Sequence, residues 1–262
     1  MTEPLRLENL TVGHGGRAVV AGVNLTVVPG EWLTVIGANG SGKSTLLKTM
    51  AAQLPPLAGT VWLEGQNLHQ LSPRAIAQRL GFLPQQPGIP EGLTVRQLVA
   101  LGRNPHQPWW QWEVDAVGQG WVERALAETN LLSFADRPVA HLSGGERQRA
   151  FAAVALAQNA HTLLLDEPTT YLDVNHQLEL LDLLKRWQQE GLTVVTVLHD
   201  LNLAARYSDR VAVLAQGQLL AVDIPGQIFT PDILAIAFGV EAVPLATPIG
   251  PQVCLVRSLS AR

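Results

Sequence analysis

A glycine-rich segment is the first candidate for chemistry in this sequence. It reads Gly37-Ala38-Asn39-Gly40-Ser41-Gly42-Lys43-Ser44 and fits the pattern G-x-x-x-x-G-K-[ST]. Its glycines let backbone N–H groups turn inward around phosphates, and a helix that follows would add its positive N-terminus. The Lys43 ammonium would meet the outer phosphates, and the Ser44 hydroxyl suits Mg²⁺. The segment therefore predicts a nucleotide-phosphate site rather than an ordinary glycine-rich turn.

Two acidic residues follow an apolar run further along the chain. Leu163-Leu164-Leu165 leads directly into Asp166 and Glu167, as expected for a buried strand that ends in acids. Asp166 is a candidate to hold Mg²⁺ directly or indirectly. Glu167 is the candidate that polarises an attacking water. A structural role for both is the weaker interpretation, because buried carboxylates are costly without a metal or a partner.

A third segment lies between these two and reads Leu142-Ser143-Gly144-Gly145-Glu146-Arg147-Gln148-Arg149. Ser143 with Glu146 three residues later matches a capping box, which predicts the start of a helix over residues 146–157. A helix N-terminus also attracts anions. The segment can therefore act as a helix cap and as an anion-binding site at once.

Together the three segments resemble the nucleotide-binding cassette of ABC transporters, over about residues 5–240. In that family the middle segment reaches across a dimer interface and contacts the γ-phosphate that the other subunit holds. The resemblance implies an ATPase that uses ATP and Mg²⁺. Its implied catalytic residues are Glu167, His199 and Gln85, and its implied metal ligands are Ser44, Gln85 and Asp166. Its implied ATP-binding residues are His14, Gly37, Asn39, Gly40, Ser41, Gly42, Lys43, Ser44, Thr45, Ser143, Gly144, Gly145 and Asp173.

Four residues of this set are assigned by their places in shorter motifs. Gln85 matches the family's glutamine at the joint between the core and the helical subdomain, where it senses Mg²⁺ or the attacking water. Asp173 matches the loop that crosses to the partner subunit, and His199 matches the switch histidine that hydrogen-bonds the γ-phosphate. His14 stands where the family usually has a larger aromatic residue stacked on adenine, and an imidazole offers less area for stacking.

The distribution of apolar runs predicts an α/β fold. Short runs at residues 5–12 and 19–28 alternate with glycine-rich turns, which favours antiparallel strands. Continuous apolar strands at residues 163–165 and 193–198, separated by helices, favour a parallel sheet covered on both faces. With the resemblance, we expect a P-loop NTPase (RecA-like) core with a parallel sheet, an N-terminal antiparallel β subdomain and an inserted helical subdomain.

We expect one ABC ATPase domain over residues 1–262. The predicted parts are a nucleotide-binding core with its β subdomain at residues 1–86 and 161–240, a helical subdomain at residues 87–160 and a tail at residues 241–262. Because the tail carries three prolines, it is expected to be loosely structured apart from a strand at residues 253–256. Four of the seven tryptophans lie between Trp109 and Trp121, and we expect them to fill a local core.

Composition limits the remaining possibilities. A net charge of -4 gives no overall basic field, so nucleic acid is not an expected partner. The single Cys254 has no second cysteine to pair with and is expected to pack as a small hydrophobic residue. The longest apolar run, residues 150–157, falls far short of the ~20 residues of a membrane-crossing helix. The N-terminus lacks the regions of a signal peptide. We therefore expect a cytoplasmic chain.

The resemblance is strongest to the ATPase subunits of bacterial importers for iron–siderophore complexes, haem and cobalamin. The stretches that carry it are residues 168–177, 198–209 and 230–242. It implies a second copy of the cassette, transmembrane permease subunits and indirectly a substrate-binding protein, at the cytoplasmic face of the inner membrane. The permease is expected to dock near residues 85–101, where Arg96 is a candidate exposed residue.

Ferric siderophore is the preferred cargo, and haem, cobalamin or a metal ion are the alternatives. Two other classes of protein stay open. A non-transport ABC ATPase of DNA repair or translation would typically show tandem cassettes, long insertions or basic surfaces, which this sequence lacks. A non-catalytic binding module is disfavoured because Lys43, Asp166, Glu167 and His199 are all present.

Overall fold

The structure is a computed structural model that describes residues 3–88, 91–108, 110–111, 114–170 and 172–259. The chain forms two compact units, one made of Met1–Gln70 with Thr193–Arg262 and the other of Leu71–Leu192. The first unit thus contains both ends of the chain, and the second contains its middle. This division differs from the core and helical subdomains that the sequence predicts, and those boundaries stay a prediction.

Strands and helices alternate along most of the described chain. In chain order the strands are β1 (Leu5–His14), β2 (Arg17–Val27), β3 (Trp32–Ile36), β4 (Ala58–Leu63), β5 (Gln66–Asn67), β6 (Leu80–Leu83), β7 (Thr162–Asp166), β8 (Thr193–Val197), β9 (Arg210–Ala215), β10 (Gln218–Asp223), β11 (Val240–Thr247) and β12 (Gly250–Ser258). The helices are α1 (Lys43–Met50), α2 (Pro73–Ala77), α3 (Val95–Ala100), α4 (Ala116–Glu128), α5 (Gly144–Gln158), α6 (Val174–Gln189), α7 (Leu201–Tyr207), α8 (Pro225–Ile228) and α9 (Pro231–Phe238).

Besides a C-terminal hairpin, the first unit contains strands of two sheets. Strands β2, β1, β4 and β5 form an antiparallel sheet in that order, as the alternating N-terminal runs predict. In the other sheet β3 lies between β8 and β9 and runs parallel to both, while β10 pairs antiparallel with β9. Every residue of β3 and of β8 is buried. Their continuous apolar character therefore reflects a sheet covered on both faces.

Buried hydroxyl groups in these strands satisfy one another. The Trp32 indole N–H donates to Thr196 Oγ1 at 2.9 Å, and Thr196 Oγ1 lies 2.8 Å from Thr34 Oγ1. The Ser208 hydroxyl donates to Thr34 Oγ1 at 2.5 Å. Because a buried polar group without a partner is costly, this chain of bonds lets threonines occupy fully buried strand positions. It holds β3, the strand that leads into the glycine-rich loop, against β8.

The C-terminal tail is a β-hairpin, and the expectation of a loose tail is wrong. Strand β11 pairs antiparallel with β12 over their whole length. Ala242 and Val253 are buried in the same core cluster as Ile36. Pro244 and Pro251 are tolerated because a two-stranded hairpin has only edge strands, in which a missing N–H can face outward. Apolar contacts with the core therefore order a segment that its prolines suggest is irregular.

The expectation that Cys254 packs as a buried residue is also wrong. Its side chain is exposed and lies opposite the exposed Val243 in the hairpin, whereas the preceding Val253 is buried. Residues 253–256 are all apolar, so the sequence lacks the alternation that would distinguish the inner face from the outer one.

In the second unit β6 pairs parallel with β7, and α3, α4 and α5 pack together. The C-terminal end of α5 is held by side chains from residues 101–106. The Arg103 guanidinium donates to the Ala157 carbonyl at 2.7 Å, and His106 Nε2 lies 2.8 Å from the Gln158 carbonyl. The Gln158 amide in turn donates to the Leu80 carbonyl at 3.1 Å. These bonds satisfy carbonyl groups that a helix end leaves without a partner, and they join α5 to β6.

The tryptophan-rich stretch only partly matches its prediction. Trp110 is 65% exposed, so the expectation that these rings fill a local core is wrong for this residue. Trp121 is half-buried, with the guanidinium carbons of Arg103 and Arg124 at 6.0 Å and 5.4 Å from its ring centre. Trp109 and Trp112 lie outside the described residues.

Candidate functional site

The glycine-rich loop joins β3 to α1, which is the strand–loop–helix order that a phosphate loop requires. Gly42 is the N-cap of α1 and has a φ of 99°, a conformation that favours glycine. A Cβ at Gly42 would lie 2.2 Å from Val20 Cγ2, and one at Gly37 would lie 2.2 Å from the Leu214 carbonyl oxygen. Steric contact therefore requires glycine at both ends of the loop.

The inside of this loop is polar. Lys43 is only 4% exposed, and its ammonium donates to the carbonyls of Gly37 at 2.8 Å and Ala38 at 3.0 Å. The buried Ser41 hydroxyl has no hydrogen-bond partner among the described residues. A buried hydroxyl that lacks a partner is unfavourable unless a ligand atom supplies one. The loop thus carries a positive charge and an unused donor, which suits a phosphate.

His199 lies at the same edge of the sheet as this loop. The parallel strands β3 and β8 are in register from Trp32 opposite Val194 to Val35 opposite Val197. The loop follows β3, and the exposed His199 follows β8. Because parallel strands end at one edge, the fold brings the predicted switch histidine and the phosphate loop to a common edge of the first unit.

His14, the predicted adenine-stacking residue, ends β1 and is exposed. Its Nε2 lies 3.2 Å from Thr45 Oγ1. Thr45 follows Ser44 in the first turn of α1, so the fold links two residues of the predicted ATP-binding set that are far apart in sequence. Both belong to the first unit.

Three further predicted residues meet at a sheet edge in the second unit. Parallel pairing of β6 and β7 places Leu83 opposite Leu165. Gln85 therefore follows one strand where Asp166 ends the next. Asp166 is 1% exposed. The Gln85 side-chain amide donates to the Glu167 carboxylate, and this pair forms the centre of the acidic part of the site.

The backbone of Glu167 adopts an unusual conformation. Its φ is 51°, in the left-handed region that non-glycine residues seldom occupy, and it immediately precedes Pro168. A proline favours extended conformations at the residue before it. Such a conformation persists only where the surroundings hold it in place, and it is found most often at functional sites. The geometry supports a functional rather than an ordinary structural role for Glu167.

The predicted capping box at the start of α5 is confirmed. The Glu146 N–H donates to Ser143 Oγ at 3.3 Å, and the Ser143 N–H donates to the Glu146 carboxylate at 2.7 Å. This second bond lowers the pKa of Glu146. Gly144 is exposed beside the cap. A Cβ at Gly145 would lie 2.7 Å from His176 Cδ2, so the close approach of this ring explains the glycine.

Asp173 begins α6 as its N-cap. Its carboxylate accepts from the His176 N–H at 2.9 Å and lies 2.8 Å from His176 Nδ1. The bond from the His176 N–H lowers the pKa of Asp173. His176 therefore contacts both Asp173 and Gly145, so it connects two of the predicted inter-subunit segments. No motif in the sequence indicates a role for this histidine. Tyr171, in the same loop, lies outside the described residues.

Two glutamines that the sequence analysis also missed bind the backbone between Glu167 and Asp173. The Gln148 amide donates to the Pro168 carbonyl at 2.8 Å. The Gln177 amide donates to the carbonyls of Thr169 at 3.3 Å and Leu172 at 3.0 Å. Gln148 lies within the segment LSGGERQR, but nothing in that pattern indicates which carbonyl its side chain reaches.

A cavity of about 300 Å³ lies beside these contacts in the second unit. It is lined by residues that include Gln85, Arg147, Gln148 and Thr170. The Arg147 Nε atom is buried and has no hydrogen-bond partner among the described residues. The cavity therefore offers polar contacts next to Gln85, within the range predicted for permease docking.

Arg96, the other residue named for docking, is engaged within the second unit. Its side chain is 41% exposed, and its guanidinium forms an ion pair with Glu123 and lies 3.9 Å from an Asp136 oxygen. Reversing its charge would break these contacts as well as any contact with a partner. Arg96 is therefore a poor position at which to test docking alone.

Comparison with known proteins identifies the family. The protein-family profile described as ABC transporter matches residues 20–170. The chain is 43% identical to the iron(3+)-hydroxamate import ATP-binding protein of Bacillus subtilis (strain 168), over 97% of this chain and 95% of that protein. It is 39% identical to the ferric enterobactin transport ATP-binding protein of Escherichia coli (strain K12), over 94% of each.

The fold agrees. A solved structure of a metal-chelate type ABC transporter in an inward-facing conformation matches with a TM-score of 0.82 and 26% identity, over 97% of each chain. The chain therefore belongs to the ABC transporter family. It is an ATP-binding ATPase subunit of that family, with the P-loop NTPase fold that the sequence predicts. Among the described residues, none of the helices has the length and apolar character needed to span a bilayer.

Proposed function

We propose that this chain hydrolyses ATP to power the import of a ferric siderophore through a membrane permease. The proposal rests on one observation: over nearly its full length, the chain is 43% and 39% identical to two ATP-binding proteins of ferric siderophore import. Our expectation is that the cargo does not contact this subunit, so the relatives rather than any single residue support the choice of cargo. Cobalamin is the second candidate, because a cobalamin import ATP-binding protein of Halobacterium salinarum is 42% identical to this chain.

The polar interior of the phosphate loop supports binding of the ATP phosphates. In the proposed site, backbone N–H groups of the loop wrap the phosphates, and the buried Lys43 ammonium exchanges carbonyl contacts for phosphate oxygens. The Ser41 hydroxyl gains the partner that it lacks. Asn39, Gly40 and Thr45 complete the proposed contacts with the nucleotide.

The residues present also fit Mg²⁺. Ser44, Gln85 and Asp166 would hold it through hydroxyl, amide and carboxylate oxygens, which this ion prefers. Mg²⁺ is commonly bound by one or two protein groups together with phosphates and water. When bound, Mg²⁺ neutralises the negative charge of the phosphates.

Glu167 is the proposed residue that orients and polarises the water for attack on the γ-phosphate. The hydrogen bond from Gln85 holds the Glu167 carboxylate in one position, which supports a positioning role for the amide. His199 is proposed to donate a hydrogen bond to the γ-phosphate. Its support is the common edge that it shares with the phosphate loop in the first unit.

Two copies of the chain are proposed to share each ATP. The Ser143 hydroxyl and the N–H groups of Gly144 and Gly145 stand at the start of α5, where an anion is stabilised by the helix dipole. In the dimer they would meet the γ-phosphate bound to the partner, and Asp173 would lie at the same interface. Closure around ATP would then move the permease, because the closed state makes contacts with ATP that the open state lacks.

The remaining partners follow from transport. We infer two permease subunits, docked near residues 85–101, and a substrate-binding protein that delivers cargo on the other side of the membrane. The chain would sit peripherally at the cytoplasmic face of the inner membrane. The cavity beside Gln85 supports docking in this part of the second unit.

Uptake of labelled cargo tests the proposal. A strain that lacks this gene should lose uptake of ferric siderophore and fail to grow when that complex is the sole iron source. Growth on abundant free iron should be normal, and a copy of the gene on a plasmid should restore uptake. Normal siderophore uptake together with loss of haem or cobalamin uptake would overturn the choice of cargo and leave the importer. Normal uptake of all three and of free metal ions would overturn the importer.

A further inference from the structure

Helix α5 contacts the backbone next to Glu167 through one side chain. The Gln148 amide, one turn after the Gly144–Gly145 pair, donates to the Pro168 carbonyl at 2.8 Å. Pro168 is buried and directly follows Glu167. This contact therefore joins the helix that begins with the predicted γ-phosphate donors to the residue after the proposed water-activating carboxylate.

The left-handed backbone conformation of Glu167 needs contacts that hold it in place, and the bond from Gln148 is one of them. With a φ of 51° before a proline, Glu167 is in a conformation that its own sequence disfavours. On its C-terminal side the Thr170 N–H donates to the Glu167 carbonyl at 3.2 Å, and Gln85 binds the Glu167 side chain. Between these two contacts, the hydrogen bond from Gln148 holds the Pro168 carbonyl in place. Gln148 belongs to α5, which lies outside the loop that contains Glu167.

We propose that Gln148 is a positioning residue that couples α5 to Glu167 and so links the two ATP sites of a cassette dimer. The inference rests on the proposed function, in which residues 143–145 engage the ATP held by the partner subunit. When the start of α5 meets that ATP, Gln148 transmits the position of the helix to the Pro168 carbonyl. Glu167 then reaches the geometry for water activation only when the neighbouring site is filled.

This role differs from simple structural support. Gln177 holds the Thr169 and Leu172 carbonyls from α6 and does not depend on Gln148. Loss of the Gln148 amide should therefore leave the loop folded, with Glu167 misplaced by a fraction of an ångström. The expected effect falls on the chemical step and on cooperativity between sites, and ATP binding through the phosphate loop should persist.

The test is Gln148→Met, which keeps the length of the side chain and removes its N–H donors. We expect kcat to fall about 10- to 100-fold, as small misplacements of reacting groups commonly cause. ATP affinity should change less than about twofold, since ground-state binding is untouched. The Hill coefficient for ATP should fall towards one. Gln119→Met is the matched control, because the exposed Gln119 amide donates to the Val114 carbonyl at 3.1 Å within the start of α4.

Gln148→Glu provides a second variant if Gln148→Met does not fold, since its carboxylate also cannot donate to the carbonyl. Normal kcat and normal cooperativity in a folded Gln148 variant would overturn the inference. Equal losses in Gln148→Met and Gln119→Met would also overturn it. Glu167→Gln is measured in parallel. If Glu167→Gln keeps full turnover, the proposed role of Glu167 is wrong. If Glu167→Gln is inactive and Gln148→Met is normal, the role of Glu167 stands and only the proposed coupling through Gln148 is wrong.

Discussion

Lys43 and Glu167 differ in their surroundings, and their variants should fail in different ways. Lys43→Ala removes the buried charge inside the phosphate loop, so ATP affinity should fall about 10- to 100-fold, the effect of losing a charged hydrogen bond. Glu167→Gln should retain ATP affinity and lower kcat about 10²- to 10⁴-fold, the usual range for loss of a general base. Equilibrium nucleotide binding and steady-state turnover, measured on both variants, check the prediction. Full turnover in Glu167→Gln would remove that residue from the role.

His14, the proposed adenine-stacking residue, also contacts Thr45, and a substitution of His14 tests which of the two interactions matters more for ATP affinity. If His14 stacks on adenine, His14→Tyr enlarges the stacking surface and should tighten ATP binding by about 1 kcal/mol or less. Discrimination between ATP and GTP should stay small. A titration of both nucleotides against wild type and variant measures this. A large loss of affinity would show that the hydrogen bond to Thr45 contributes more than stacking does.

His69 gives the first unit a predictable dependence on pH. Burial lowers the pKa of its half-buried imidazole, while a hydrogen bond with the Thr49 backbone partly opposes the shift, and Nε2 lacks a partner among the described residues. Because the folded state disfavours the protonated ring, the unfolded state binds more protons. Stability from this group is complete above the ordinary pKa of about 6.5 and is lost as pH falls through the lowered pKa.

Urea unfolding at several pH values between 5 and 8 tests this expectation. Wild type should lose stability towards the acidic end, and His69→Gln should lose less of it because the substituted side chain does not titrate. An unchanged pH dependence in His69→Gln would assign the effect to other groups.

At the scale of single elements, the sequence predicts best where local signals agree. The capping box of Ser143 and Glu146 lies at the start of α5, and the alternating runs at residues 5–12 and 19–28 form the antiparallel strands β1 and β2. The hairpin of β11 and β12 was not predicted, because the sequence indicates only a strand at residues 253–256 in this segment. The hairpin is ordered because its residues pack in one core cluster with residues such as Phe229. A local sequence pattern cannot predict this packing.

The residues of the candidate site also differ in how well the sequence predicts them. Motifs identify Lys43, Asp166 and the other residues whose chemistry is tied to position in a segment. They do not reveal Gln148, Gln177 or His176, because these act through contacts with backbone or loop atoms that exist only after folding. The roles of the motif residues in hydrolysis stay predictions until variants are measured.

The hairpin offers a stability test with its own control. Val253 is 6% exposed and packs in the core cluster, whereas Val256 in the same strand is 56% exposed. Val253→Ala should lower the free energy of unfolding by about 1–3 kcal/mol, from about 0.5–1.5 for each buried methyl group. Val256→Ala should change it by less than about 0.5 kcal/mol. Chemical denaturation of both variants makes the comparison, and equal effects would contradict the packing of β12.

At the scale of the whole molecule, a shared ATP site predicts association that depends on nucleotide. Glu167→Gln should be monomeric without nucleotide and dimeric with Mg-ATP, because hydrolysis can no longer dissolve the closed pair. Ser143→Arg in the same background should prevent dimerisation by placing a bulky side chain where the partner's phosphate would lie. Sedimentation velocity with and without Mg-ATP reads out both. A monomer in saturating Mg-ATP would mean that closure requires the permease or that the site is not shared.

The division of the chain into two units also has a consequence for its synthesis. One unit is made only of the continuous middle segment Leu71–Leu192, and the other combines the first residues with the last. On a translating ribosome the middle segment emerges whole while β3 still lacks its neighbours β8 and β9 and the hairpin residue Val253, which packs in the same core cluster as Ile36. Since domains generally fold as units during synthesis, β3 must remain without its neighbours β8 and β9 until those strands have been translated. The nascent phosphate loop should therefore acquire its nucleotide affinity only after β8 and β9 have emerged, which makes the first binding of ATP a late event in synthesis.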